Sequence, residues 1–176
     1  MNYSQRSEAG LAVAELAIII PFVFVLAVGS LDVHDSLRRH QFMSVIAREV
    51  GNMVYRECIS ASNGSQMNDC LAQRANDDVL VHVGGSAGLL PGTEIIVKVY
   101  RVNFSGTAPS QTAQAPALAG QYSSSAAKVS LYDNGAVRGL HSYLPQKGSI
   151  VTTEVFHTKQ GYFAWFSREL YETTIF

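Results

Sequence analysis

From Leu11 to Leu31 the chain runs through 21 residues with one ionisable side chain, Glu15. Any fold of this chain must find a place for that run. At about 1.5 Å per residue, a helix of this length reaches about 30 Å, one hydrocarbon core. The core helix of a soluble domain does not need so unbroken an apolar stretch as Ala17–Gly29. Two other readings compete. A cleaved secretory signal would use Arg6 as a weak positive flank and Ala27-Val28-Gly29 as a small-x-small site before Ser30. A retained membrane helix would have Arg6 on one side and Asp32 and Asp35 on the other. Arg38 and Arg39 follow closely, so the charge asymmetry is slight; it favours a cytoplasmic N-terminus with the domain outside.

Glu15 separates these readings. A signal peptide has no use for an acid in its apolar region, and a carboxylate at a bilayer centre costs about 2.5–3.5 kcal/mol. Such an acid calls for a cation at the same depth. Cleavage after Gly10 would create one, the new α-amino group of Leu11, four residues from Glu15. Within one helix the two lie about a turn apart. Between helices, the acid of one chain would meet the amine of another, and this offsets burial only when the geometry is good.

Gly10 followed by Leu11-Ala12-Val13-Ala14-Glu15 resembles the processing site of type IV prepilins, cut after the glycine with an acid fifth in the mature chain. The longer stretch "AVAELAIIIPFVFVLAVGSLD" is similar to the TadE-like minor pilins (pseudopilins) of tight-adherence (Flp, type IVc) pili. Those proteins place small apolar residues before the glutamate, a proline six residues after it, and then a Gly-x-x-acid step. Here these are Ala14-Glu15, Pro21 and Gly29-Ser30-Leu31-Asp32. Leu16 departs from the family, which usually has an aromatic there. The resemblance covers residues 5–57 well and the remainder in outline. It implies a prepilin leader at 1–10, a transmembrane helix at 11–31, an extramembrane continuation at 32–58 and a globular α+β domain at 59–176. It further implies a prepilin peptidase substrate that enters or primes a pilus for surface attachment. Its partners would be other pilin subunits, the assembly machinery and the membrane, with a surface ligand open to the globular domain. Before assembly it would sit in a bacterial inner membrane, with the domain on the periplasmic side. So large an external domain points to a minor rather than a major pilin. The other reading is a secreted or signal-anchored extracytoplasmic binding domain that uses its aromatic tail or its Ala/Ser-rich loop.

Beyond the apolar run the pattern stays helical. Leu37, Phe42, Val45, Ile46, Val50, Met53 and Val54 recur mainly at three- and four-residue spacings. No proline occurs from Phe22 through Cys58, so one helix from Leu11 onward is expected, with a kink at Pro21 and weak points at Gly51 and Asn52. Arg38, Arg39, Arg48 and Arg56 read as a solvated face. Ser60–Asn68 reads as a polar loop between Cys58 and Cys70, which pair as a disulfide if the domain is exported. Strands are expected at Val79–Val83, Glu94–Phe104, Ala127–Tyr132 and Ser149–His157, with Ile95, Val97 and Val99 on one face. Asp133-Asn134-Gly135 marks a hairpin turn. The stretch "SGTAPSQTAQAPALAGQYSSS" reads as a long exposed loop. Phe163, Trp165, Phe166, Leu170 and Tyr171 are expected in a short helix or docked segment packing on the core. Glu154-Val155-Phe156 is similar to the last sheet strand of TadE-like proteins. The expected class is α+β: a long N-terminal helix and an antiparallel sheet of about four strands.

Charge and motifs point away from several functions. Thirteen basic against 14 acidic side chains leave a net charge of −1, so no counterion-driven nucleic-acid binding is expected. There is no Gly-x-Ser-x-Gly, P-loop, dinucleotide fingerprint or His-Glu-x-x-His. Gly84-Gly85-Ser86-Ala87-Gly88 lacks the Lys-Ser/Thr of a phosphate loop, and Asp77-Asp78 reads as a solvated turn. His82 and His157 read as structural or solvent-facing. No enzyme activity, cofactor or metal is expected.

Overall fold

The computed structural model describes residues 3–61, 63–75, 93–102, 104–105, 112–113, 116–132, 148–159 and 168–176, without the side chains of residues 3–12, Ala14 and 104–105 and 112–113. The first element, α1, is a 55-residue helix, Tyr3–Glu57, with Pro21 inside it. It begins eight residues before the expected start at Leu11. Nothing between Tyr3 and Gly10 breaks a helix except the glycine itself, and an uncut backbone lets the helix continue N-terminally through it.

A second helix, α2, spans Gly64–Gln73. This corrects the polar loop expected at Ser60–Asn68. Asn63 is the N-cap: its side chain accepts the Gln66 N–H at 2.8 Å and its carbonyl accepts that of Met67. Met67 and Leu71, one turn apart, are buried and anchor the helix. Cys58 and Cys70 form the expected disulfide with a Cα–Cα separation of 5.7 Å, tying the end of α1 to α2. Reducing it frees a loop with a sequence separation of 12. The expected loss is about 3 kcal/mol, read as a shift of the urea midpoint with and without a thiol reductant.

The strands are β1 (Thr93–Arg101), β2 (Phe104–Ser105), β3 (Thr112–Ala113), β4 (Ala117–Ser123), β5 (Ser149–Lys159) and β6 (Arg168–Ile175). Four make an antiparallel sheet in the order β4-β1-β5-β6, and β2 pairs with β3. The number of strands in the sheet and the positions of β1 and β5 are as expected; the other two differ. β4 falls inside the stretch read as a loop. Ala127–Tyr132 is not a strand, because β1 already has β4 on one edge and β5 on the other. Leu170 and Tyr171 lie in β6 rather than in a helix. The Val79–Val83 strand, the Asp133-Asn134-Gly135 turn, Phe163, Trp165 and Phe166 lie outside the described residues.

Pleat alternation divides the sheet cleanly. Ile95, Val97, Val99, Val151, Val155 and Leu170 face the helices and pack on Met43, Ile46, Val50 and Val54 of α1 and Met67 and Leu71 of α2. Gly51 leaves room for the Phe176 ring: a Cβ there would stand 2.4 Å from that ring and 3.1 Å from Thr153 Oγ1. The opposite face carries Ile96, Tyr100, Ile150, Glu154 and Phe156. Residues 124–132 strap across it. Tyr100 Oη and Lys98 Nζ donate to the Tyr132 carbonyl at 3.1 and 3.3 Å, and Lys128 sits over the Phe156 ring.

Candidate functional site

The two halves of α1 have opposite environments. From Met43 to Val54 one stripe is buried under the sheet. From Val13 to Leu31 the large apolar side chains other than Val28 stand bare, Ile18 at 74% and Phe24 at 65% exposure. Only 6% of the most apolar window is buried, so this is not a core helix. It is long and apolar enough to cross a membrane. Glu15 stands exposed near its start, and Gly10 and Leu11 lie within the helical backbone. Pro21 interrupts the hydrogen-bond ladder midway along the bare part without ending the helix.

Where the bare part ends, a polar cluster joins helix to sheet. Lys159, at the end of β5, has a side chain only 2% exposed. Its Nζ donates to the Asp32 carbonyl at 2.6 Å and to Asp32 Oδ1 at 2.8 Å, and lies 3.5 Å from Asp35 Oδ2. One turn on, Arg39 Nε donates to Asp35 Oδ2 at 2.8 Å. Arg168 of β6 donates to Ser36. Arg39 also reaches His157 Nε2 at 3.2 Å, and His157 Nδ1 lies 3.1 Å from Thr93 Oγ1. A guanidinium can only donate, so Nε2 accepts and the ring proton sits on Nδ1, shared with Thr93. Arg39 thus belongs to this cluster and not to a solvated face; Arg38, Arg48 and Arg56 are exposed, as expected.

The charges follow from the packing. Burial pushes the Asp35 carboxyl up, but the Arg39 hydrogen bond and the charges of Arg39 and Lys159 outweigh it, leaving it below its ordinary 3.8. Burial pushes His157 below its ordinary 6.5, and Arg39 adds to this while Asp35 opposes it. The folded protein therefore holds His157 neutral. As pH falls below 6.5 the unfolded chain binds a proton that the folded chain refuses, so stability drops until the folded His157 itself titrates. Thermal midpoints between pH 8 and pH 5 are expected to fall with acid, and His157→Gln is expected to flatten that fall.

On the other sheet face, Glu154 is fully buried. Its carboxylate accepts from Ser130 Oγ, from the Leu131 N–H at 2.8 Å and from Tyr171 Oη at 3.1 Å. Burial and the adjoining Glu154 carboxylate raise the Tyr171 phenol well above its ordinary 10. These bonds hold Ser130 and Leu131 on the sheet although 127–132 is not a strand: Glu154 takes the place of a neighbouring backbone.

Asp77-Asp78, His82 and Gly84–Gly88 lie outside the described residues. Among the described residues no three His, Cys, Asp or Glu side chains converge as a metal site would require. The structure gathers none of Gly10, Leu11, Glu15, Pro21, Cys58 and Cys70 into one place, apart from the disulfide; the first four are spread along one helix. The sequence reading missed Lys159 and Arg39 as a clamp. No local pattern marks a contact across a separation of 127 residues. No known protein family, curated protein or solved structure matches the chain.

Proposed function

We propose that the chain is a TadE-like minor pilin: a single-pass membrane protein cut after Gly10, its sheet domain extracytoplasmic, that enters or primes a tight-adherence pilus. The carrying observation is the bare apolar half of α1 with Glu15 near its start, continuous with a half that packs on the sheet. A membrane anchor alone explains the apolar surface. It does not explain a carboxylate inside it, five residues after a glycine. Cutting at Gly10 sets the Leu11 amine about one turn from that carboxylate, so each subunit offers a cation and an anion at one depth. Gly10 also supports the site locally, since glycine is the poorest non-proline helix former and eases the unwinding a peptidase requires.

The secreted reading fits less well. Signal cleavage before Ser30 would sever α1 two residues ahead of Asp32, which anchors Lys159. Intact-mass and N-terminal analysis of the protein from a host with a prepilin peptidase tests the proposal. The expected first residue is Leu11. An intact Met1, or a start at Ser30, overturns it.

A further inference from the structure

The sheet begins where the bare part of α1 ends. Asp32 holds Lys159, the last residue of β5, and Ser36 holds Arg168, the first residue of β6. Both strand ends therefore lie level with the helical turns that follow Leu31. With Leu11–Leu31 filling a hydrocarbon core of about 30 Å, Ser36 and Arg38 stand about 8 and 11 Å beyond Leu31. The polar layer of a bilayer is about 5–8 Å deep on each side. Helical side chains lean toward the N-terminus, here toward the membrane, and a long arginine reaches back farther still. That brings the Arg38 guanidinium into the polar layer. Arg168, bonded to Ser36, stands at the same level.

The acids of this region are already taken. Asp32 pairs with Lys159 and Asp35 with Arg39. Glu169 pairs with Lys128 and Glu172 with His40. Arg38 and Arg168 are exposed, and among the described residues neither forms an ion pair. Arg168 donates to a neutral hydroxyl, that of Ser36. Two positive charges thus stay uncompensated at one level. The sequence that joins Lys159 to Arg168, residues 160–167, has no charged residue to offset them. It includes Tyr162 and Trp165, side chains enriched where membranes meet water. Apolar surface reaches this level too. Val33 and Leu37, on the flank of α1 turned away from the sheet, are both more than half exposed. They continue the bare surface of the span past Asp32.

Resting on the reading of α1 as a membrane-spanning helix, we infer that the base of the sheet domain sits on the bilayer and binds the phosphates of anionic phospholipids through Arg38 and Arg168. Val33 and Leu37 pack at the boundary between acyl chains and headgroups. A second copy of the chain at the same depth has no free carboxylate to offer, because its own are paired. Lipid phosphate is the anion present there.

The test uses the full chain reconstituted into phosphatidylcholine vesicles that carry a trace of spin-labelled phosphatidylglycerol or spin-labelled phosphatidylcholine. Electron paramagnetic resonance reads the fraction of each lipid held at the protein surface. An arginine at an anionic membrane surface is worth about fivefold. Phosphatidylglycerol is therefore expected to be preferred by at least about fivefold at low salt. Arg38→Gln is expected to lower the preference severalfold with the thermal midpoint kept, since Arg38 has no ion pair to lose. Adding Arg168→Gln is expected to abolish it. Equal retention of the two lipids, or a preference unchanged in the double variant, would overturn this inference and leave the membrane reading standing. So would loss of the preference to millimolar inorganic phosphate at constant ionic strength, which would assign the arginines to a free anion. Retention of neither lipid would mean that α1 does not cross the bilayer, and both readings would fall.

Discussion

Replacing Lys159 by alanine is expected to lower stability by about 3–5 kcal/mol, because it strips a buried ion pair of one partner. The ammonium is only 2% exposed and serves both Asp32 and Asp35. Without it, Asp32, whose side chain is only 11% exposed, loses its cation, while Asp35 keeps Arg39. For a chain of this size the loss corresponds to a drop in thermal midpoint of about 6–20 °C. Differential scanning of the detergent-solubilised protein measures it. The paired change Asp32→Asn with Lys159→Met is expected to recover most of the loss, since it removes both charges together. A shift of less than about 1 kcal/mol for Lys159→Ala would mean that the clamp is solvated and contributes only as surface pairs do.

The second large effect is on assembly. With Glu15→Gln, insertion into the membrane is expected to be unchanged or improved, because a neutral amide is easier to bury than a carboxylate. Surface pili, counted by electron microscopy, are expected to be nearly lost, since no anion remains to meet the Leu11 amine of a neighbouring subunit. Glu15→Asp keeps the charge but shortens its reach, and is expected to retain part of the piliation. Wild-type pilus numbers with Glu15→Gln would remove the electrostatic basis of the proposed function.

The parts of the fold legible in the sequence are those whose own pattern carries the signal. The course of α1 beyond Pro21 follows from helical apolar spacing with no further proline as far as Cys58. The alternation of Ile95, Val97 and Val99 places β1, and the β-branched stretch Ile150-Val151-Thr152-Thr153 followed by Val155 and Phe156 places β5. What stayed hidden depends on neighbours. "ALAGQYS" has little strand propensity; it becomes β4 because the free edge of β1 pairs with it and α2 covers it. Residues 127–132 look like a strand but find both edges of β1 occupied, and settle on Glu154 instead. Asn63 was a readable cap, masked by the glycine and polar residues around it. For the site, Gly10, Glu15 and Pro21 are conspicuous in the sequence because the spacing that motivates the proposed function is local. The clamp was not legible, because it joins residues distant in the chain.

The course of β5 along α1 has a mechanical consequence. Lys159 meets Asp32, His157 meets Arg39, and Thr153 lies against Gly51, so strand and helix run side by side in opposite directions. The attachment runs from Asp32 to Gly51 of the helix, about 28 Å of axis. Traction on the sheet is therefore spread over three separate grips rather than concentrated at one pivot. Torsion of the rod about its long axis must carry the whole sheet around with it.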